Sequence, residues 1–212
     1  MQADSVVKKL RRGRPSKLGQ TFPDTRTALL KQGLAALTEK GFSATGIDEV
    51  LRGVGVPKGS FYHYFPSKEA FGAELVTMYA GYFANKIDRH FKNDLLSPVN
   101  RLKAFVLDAE TGMQRYDFRR GCLIGNLGQE MGALPESFRQ QITDVFMDWQ
   151  RRTSECVALA QQQGEIPADL NPDQLSSFFW IGWEGAVLRA KLERSAEPLK
   201  TFAEQFFRLL AT

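Results

Sequence analysis

From residue 24 onward, apolar positions recur every three or four residues, the period of a helix with one buried face. In DTRTALLKQGLAALTEKGF they fall at Leu29, Leu30, Leu34, Leu37 and Phe42. Asp24 stands before this run in the place of an N-cap, and Gly41 follows it where a left-handed residue ends a helix. TGIDEVLRGVGV repeats the arrangement on a smaller scale. Thr45 with Asp48 reads as a capping box, and the glycines at 53 and 55 break the helix. A third short helix is predicted from near Lys58 to Phe65, stopped by Pro66, and Ser67 caps the longer KEAFGAELVTMYAGYFANKIDRHF. Ser97-Pro98, Asn171-Pro172 and Glu197-Pro198 each open a further helix with proline in the first turn, where its missing N–H costs nothing. Gln174 stands where it completes a capping box with Asn171. FRRGCLIGNLGQEMGALP is glycine-rich and the least regular segment, and no strand-like alternation of useful length occurs. The pattern predicts an all-α chain of roughly nine helices, three short ones and then a bundle of longer ones. It divides into an N-terminal arm at 1–23, a three-helix unit at 24–66 and a larger helical body at 67–212.

Composition narrows the class. A chain of 212 residues, 43% hydrophobic and 25% charged, is globular in character and long enough to bury a core. MQADSVVKKLRRGRP has basic residues with no apolar stretch behind them, so no secretory signal is expected. LSSFFWIGW is about half the length of a membrane span. The two cysteines, Cys122 and Cys156, make neither a disulfide framework nor a metal cluster, so a reducing cytoplasm and no cofactor are expected. The net charge of +4 is unevenly spread. Residues 1–70 carry 12 Lys and Arg against 6 Asp and Glu, a net of +6, and the rest carry 16 against 18, a net of −2. A basic N-terminal portion on a near-neutral body suits a polyanion partner.

The third short helix carries the densest chemistry. VPKGSFYHYF sets Phe61 and Phe65 one turn apart, facing inward toward Val50, Leu51 and Val54. Ser60, Tyr62 and His63 then point away from the core, and Lys58 and Gly59 sit at the helix start, where backbone N–H groups favour a phosphate. Tyrosine hydroxyls and imidazole suit phosphate oxygens or base edges. Tyr64 shares the outer set and the inner face. Two short helices joined by a turn of three or four residues describe a helix-turn-helix.

TGIDEVLRGVGVPKGSFYHYFPSKEAF, from Thr45 to Phe71 without an insertion, resembles the DNA-binding signature of TetR-type transcriptional regulators. The resemblance implies a recognition helix in the major groove, with contacts from Lys58, Gly59, Ser60, Tyr62, His63 and Tyr64. It implies a phosphate contact from Lys68 and a backbone contact from Thr45. It also implies a homodimer, whose two-fold bundle includes the last helix and the one before it, and a body that binds a small-molecule inducer. FRRGCLIGNLGQEMGALP and FWIGWEGAVLRAKLE further resemble a subgroup of acrylate-utilisation and electrophile-responsive repressors. An acrylate-like or electrophilic inducer is the expectation that follows.

RRGRP, residues 11–15, resembles an AT-hook, a flat segment that lays arginine in a narrow minor groove, with Arg12 and Arg14 as candidates. In the body, Cys122 follows Arg119, Arg120 and Gly121, a basic setting expected to lower a thiol pKa, whereas Cys156 is expected in the core. Tyr116, Arg120, Cys122, Trp180, Trp183 and Arg189 are the candidate ligand contacts, with Arg119, Arg120 and Arg189 each able to anchor a carboxylate. The aromatic set Tyr79, Tyr82, Phe83 and Tyr116 is expected as core, with Tyr116 also kept among the ligand candidates. Glu184 and Arg189 are polar groups in an otherwise apolar helix, which also suits a dimer interface. Two other classes stay open: a cysteine-dependent enzyme centred on Cys122, and a non-specific DNA-organising protein using the arm. The sequence therefore points to a dimeric repressor that binds a palindromic operator and is released by a small cytoplasmic molecule, without contact with a membrane.

Overall fold

A computed structural model describes residues 22–211. Among them are nine helices and no strand: α1 (Phe22–Lys40), α2 (Ile47–Val54), α3 (Lys58–Tyr64), α4 (Lys68–Phe91), α5 (Pro98–Gln114), α6 (Leu123–Gln129), α7 (Ser137–Gln162), α8 (Pro172–Glu193) and α9 (Glu197–Leu209). The expected all-α fold is the observed one. The candidates Arg12 and Arg14 lie outside the described residues.

Two predicted caps are corrected. α1 begins at Phe22, so Asp24 stands within its first turn rather than ahead of it. α2 is capped at Gly46 without a side-chain bond, because the Thr45 hydroxyl turns back to donate to the Gly41 carbonyl at 2.7 Å. The other ends follow their residues. Ser67 Oγ accepts from the Ala70 N–H at 3.0 Å, and Asn171 Oδ1 accepts from the Asp173 and Gln174 N–H groups at 3.0 Å. Gly41 ends α1 at φ +85°, a backbone region that residues with a Cβ seldom enter.

The three short helices form one unit, with α2 packed on α1 and α3 on α2. α4 leads out of it into the body, where α4, α5, α7 and α8 bury an aromatic centre. Trp149 and Trp180 lie 4.9 Å apart by ring centroid, with Phe83 4.5 Å from Trp149 and Phe105 5.9 Å from Trp180. The Trp180 indole N–H donates to Thr153 Oγ1 at 3.0 Å, so its polar edge is satisfied in the interior. α9 packs along α8, and the short α6 lies against α1, α4 and α7. No helix among the described residues is long and apolar enough to cross a membrane.

Candidate functional site

The helix-turn-helix surface is built by the inward pair on α3. Phe61 and Phe65 are fully buried, 5.3 Å apart, and both rings meet Phe71 of α4, at 5.1 and 4.8 Å. Pinning those two positions turns their neighbours outward. Tyr62 is 51% exposed. Lys58, Gly59 and His63 are exposed, whereas Ser60 and Tyr64 are half-buried. The His63 and Tyr64 rings stand 4.8 Å apart, and Tyr64 also packs on the core. A methyl group at Gly59 would meet no atom within 4 Å. The nearest carboxylate to Lys58 Nζ is Asp48, at a loose 3.7 Å.

Two members of the predicted contact set are held differently. Thr45 is buried, its hydroxyl engaged by Gly41 and its N–H by the Phe42 carbonyl at 3.2 Å, so its side chain shapes the turn instead of facing outward. Lys68 is half-buried, its ammonium 4.4 Å from the Phe42 ring centroid. Burial lowers its pKa, and the nearby Glu130 works against that shift.

A cavity of about 380 Å³ opens between α1, α4, α5, α8 and the 115–122 segment. Leu34, Phe83, Met113, Trp183 and Val187 supply apolar wall. Tyr82 and Tyr116 line it while remaining exposed. The Arg120 guanidinium lies 4.3 Å over the Tyr116 ring. Lys86 reaches the cavity with its side chain only 12% exposed and pairs with Asp108 at 3.4 Å. Asp108 also takes Arg89 at 3.0 Å and His90 Nε2 at 2.8 Å, so Lys86 has the longest of three shared contacts. Burial lowers the Lys86 pKa, and the Asp108 charge partly restores it.

Cys122 lines the same cavity as the N-cap of α6, its Sγ accepting from the Gly125 N–H at 3.4 Å. The predicted lowering of its thiol pKa does not occur. Burial first, and then the Glu184 charge, push the thiol pKa well above the ordinary value. Arg119 is exposed and Arg120 is stacked on Tyr116. Burial likewise holds the Glu184 carboxyl at a pKa of about 7, opposed by its hydrogen bond with Cys122. Gly125 makes room for this carboxylate, because a Cβ there would collide with Glu184 Oε2. The Tyr79 hydroxyl completes the cluster, hydrogen-bonded to Cys122 and raised in pKa by burial.

The cavity is wired to the three-helix unit. Its wall includes Lys31, Leu34, Ala35 and Thr38 of α1. The carbonyls that end α1 are gripped from the body. Asn126 Nδ2 donates to Leu37 O and Thr38 O, both at 3.0 Å, and the Gly121 N–H donates to Thr38 O at 3.0 Å. Lys191 Nζ of α8 reaches Glu39 O and Asn126 Oδ1, each at 3.2 Å. Just beyond α1, the Phe42 and Ser43 N–H groups donate to the Glu130 carboxylate at 2.9 and 2.7 Å.

Four of the six predicted ligand contacts, Tyr116, Arg120, Cys122 and Trp183, line the cavity. Trp180 does not, since its indole is sealed in the aromatic centre at 1% exposure. Arg189 does not either. It lies in the groove between α8 and α9 and pairs with Glu193 one turn on. Tyr79 is core as expected and Phe83 packs against the core, and both also line the cavity, whereas Tyr82 is an exposed wall residue. The sequence missed Lys31, Lys86 and Thr38, which carry no local mark. Glu184 was signalled only by its charge within FFWIGWEGAV. Cys156 is core as expected, its thiol pushed up to about 12 by burial. No group of residues that could hold a metal ion occurs among the described residues.

Comparison with known proteins fixes the family. Residues 29–75 match the family described as bacterial regulatory proteins, tetR family, and residues 98–206 match the tetracyclin repressor-like C-terminal domain. Transcriptional regulator AcuR of Cereibacter sphaeroides is 51% identical over 98% of this chain and 94% of its own length. HTH-type transcriptional repressor DhaR of Mycobacterium sp. strain GP1 is 33% identical over 87% of this chain and 91% of its own. A crystal structure of a TetR regulatory protein from Rhodobacter sphaeroides superimposes with a TM-score of 0.86 at 52% identity, covering 87% of this chain and 98% of that one. These relatives are named as regulators, which closes the enzyme reading centred on Cys122. The chain belongs to the tetR family of bacterial regulatory proteins and is a transcriptional regulator.

Proposed function

We propose that the protein is a cytoplasmic repressor that binds a palindromic operator as a homodimer and is released by a small molecule held in the 380 Å³ cavity. The observation that carries this reading is that α1 belongs both to the helix-turn-helix unit and to the cavity wall. A ligand that fills the cavity bears on the helix that aims α3. Lys58, Gly59, Ser60, Tyr62 and His63 read and grip the major groove, Tyr64 contributes from the edge of that face, and Lys68 meets a phosphate. Arg12 and Arg14 add minor-groove contacts from the arm. The resemblance to acrylate-utilisation repressors makes acrylate the first inducer to try. The buried, protonated thiol of Cys122 acts as a wall contact in this reading, since the thiolate is the reactive form.

α8 supports dimerisation with an exposed apolar stripe. Phe178, Ile181, Leu188 and Leu192 lie three, seven and four residues apart, on one helical face, and range from 44% to 77% exposed. Two copies meeting across this stripe set the spacing of two α3 helices on adjacent major grooves.

The experiment is a titration of the protein against DNA from upstream of its own gene, at two salt concentrations, with and without acrylate. Selective binding, favouring that DNA by ~10³-fold or more over random sequence and weakened by salt, supports the repressor. Equal binding to all sequences turns the reading to a DNA-organising protein. Selective binding that acrylate leaves unchanged keeps the repressor and discards that inducer.

A further inference from the structure

We infer that the cavity receives a monocarboxylate with an apolar body larger than acrylate, and that Glu184 takes up a proton from solvent as this anion binds. The inference rests on the reading of the cavity as the inducer site and names the chemistry that site selects.

Charge is the first argument. Lys31 from α1, Lys86 from α4 and Arg120 from the 115–122 segment all line the cavity. Lys86 is largely buried with a third share of one carboxylate, and the Arg120 guanidinium rests on an aromatic face. A buried cation with so little compensation favours an incoming anion. Size and wall chemistry then shape the rest of the ligand. At roughly 30 Å³ per molecule of liquid water, 380 Å³ corresponds to about a dozen waters, well beyond a three-carbon acid. Leu34, Phe83, Met113 and Trp183 ask for an apolar body in that space.

Glu184 is the second argument. Its carboxylate is packed on Gly125, its one side-chain hydrogen bond is to the Cys122 thiol, and it has no cation partner among the described residues. The groups around it are accounted for from each element. α4 brings the Tyr79 hydroxyl, Tyr82 and Lys86, the 115–122 segment brings Tyr116 and Arg120, and α1 brings Lys31. On its own helix, Lys191 is committed to the carbonyls of α1 and to Asn126. An anion entering this space repels an ionised Glu184 and favours its neutral form. The balance is one proton from solvent onto one carboxylate oxygen, with no other bond made or broken. Burial already holds this carboxyl at about 7, so the uptake falls within a neutral working range.

Calorimetry on the full-length protein tests it with acrylate, trans-cinnamate and the uncharged isostere trans-cinnamamide, at pH 6, 7 and 8 and in two buffers of different ionisation enthalpy. Cinnamate is expected to bind more tightly than acrylate, and cinnamamide ~10-fold or more weaker than cinnamate. Cinnamate affinity falls by up to ~10-fold per unit above pH 7, and the two buffers report up to one proton taken up. Glu184→Gln flattens this pH dependence, and Lys86→Met erases the preference for cinnamate over cinnamamide. Equal affinity at pH 6 and 8 without proton uptake overturns the role of Glu184. Equal binding of acid and amide, or no binding of either acid, overturns the ligand class. Operator binding, measured separately, shows in every case whether the regulator reading survives.

Discussion

Gly59 occupies a helix position that the chain itself does not require to be glycine, since a methyl group there has open space on every side. Alanine is better than glycine inside a helix by about 1 kcal/mol, so Gly59→Ala should raise the melting temperature. The same methyl should lower operator affinity by ~10-fold or more if the α3 backbone lies against DNA, as close approach is the remaining use for this glycine. Opposite signs in a melt and an operator titration are the expected result. Unchanged operator affinity would mean that the backbone stays clear of the DNA. Glu184 makes a second residue-scale case. Its folded pKa is raised from the usual 4.5 to about 7, so the stability it contributes is complete below 4.5 and is lost as pH rises through 7. The loss amounts to up to about 3 kcal/mol at pH 8. Glu184→Gln carries no such charge and should melt several degrees higher than the parent at pH 8, with the gap closing toward pH 5. A gap independent of pH would refute the buried ionisation. The α3 residues were legible in the sequence because one helical period fixes which of five adjacent side chains face out. The surroundings of Cys122 were not. Its neighbours Tyr79 and Glu184 come from α4 and α8, while Arg119 is exposed and Arg120, although it lines the same cavity, stacks on Tyr116.

The end of α1 is an element held by others. Helices leave their last carbonyls without intrahelical donors, and here Asn126, Gly121 and Lys191 supply them from the body. Asn126 and Lys191 also bond to each other, so α6, α8 and α1 meet in one polar knot beside the cavity. Lys191 is partly desolvated there, which lowers its pKa, and it places a cation at the negative end of the α1 dipole. Strain is stored next to it: Asp117 and Phe118 are consecutive non-glycine residues at φ +51° and +54°, in the segment that carries Tyr116 and Arg120 into the cavity. A ligand that shifts this segment shifts the Gly121 bond to α1 with it. Asn126→Ala combined with Lys191→Met should therefore leave ligand affinity within about threefold, while the ligand's effect on operator affinity shrinks toward none. Calorimetry and operator titration measure the two quantities on one sample. Ligand control that survives the double substitution would show that α1 is steered by α4 alone. Helix ends were the most legible feature at this scale, because serine, asparagine, proline and glycine announce them locally. The knot was invisible, since its members come from four separate segments and none is unusual in its own neighbourhood.

The proposed homodimer places its contact on the outer face of α8. Within one chain Ile181 is 71% exposed and Leu192 77%, and neither meets the core that holds the helix in place. Apolar side chains repeated in such a stripe are costly to leave in water, and a second copy offers the same stripe in return. The groove between α8 and α9 is floored by Gly182, Gly185 and Phe202. Replacing Ile181 and Leu192 together with glutamate puts like charges opposite each other across a two-fold axis while disturbing nothing inside the chain. The monomer should therefore keep its helical content and its ligand affinity. Its operator affinity should fall by ~10²–10⁴-fold, because the second half-site is no longer bound at the high effective concentration that a linked partner provides. Sedimentation at micromolar concentration reads the first half of this expectation, and titration against full and half operators reads the second. A variant that sediments as a dimer would move the interface off α8. A monomer that still binds the full operator as tightly as the parent would mean that one three-helix unit suffices for recognition, and the two-fold logic of the fold would have to be abandoned.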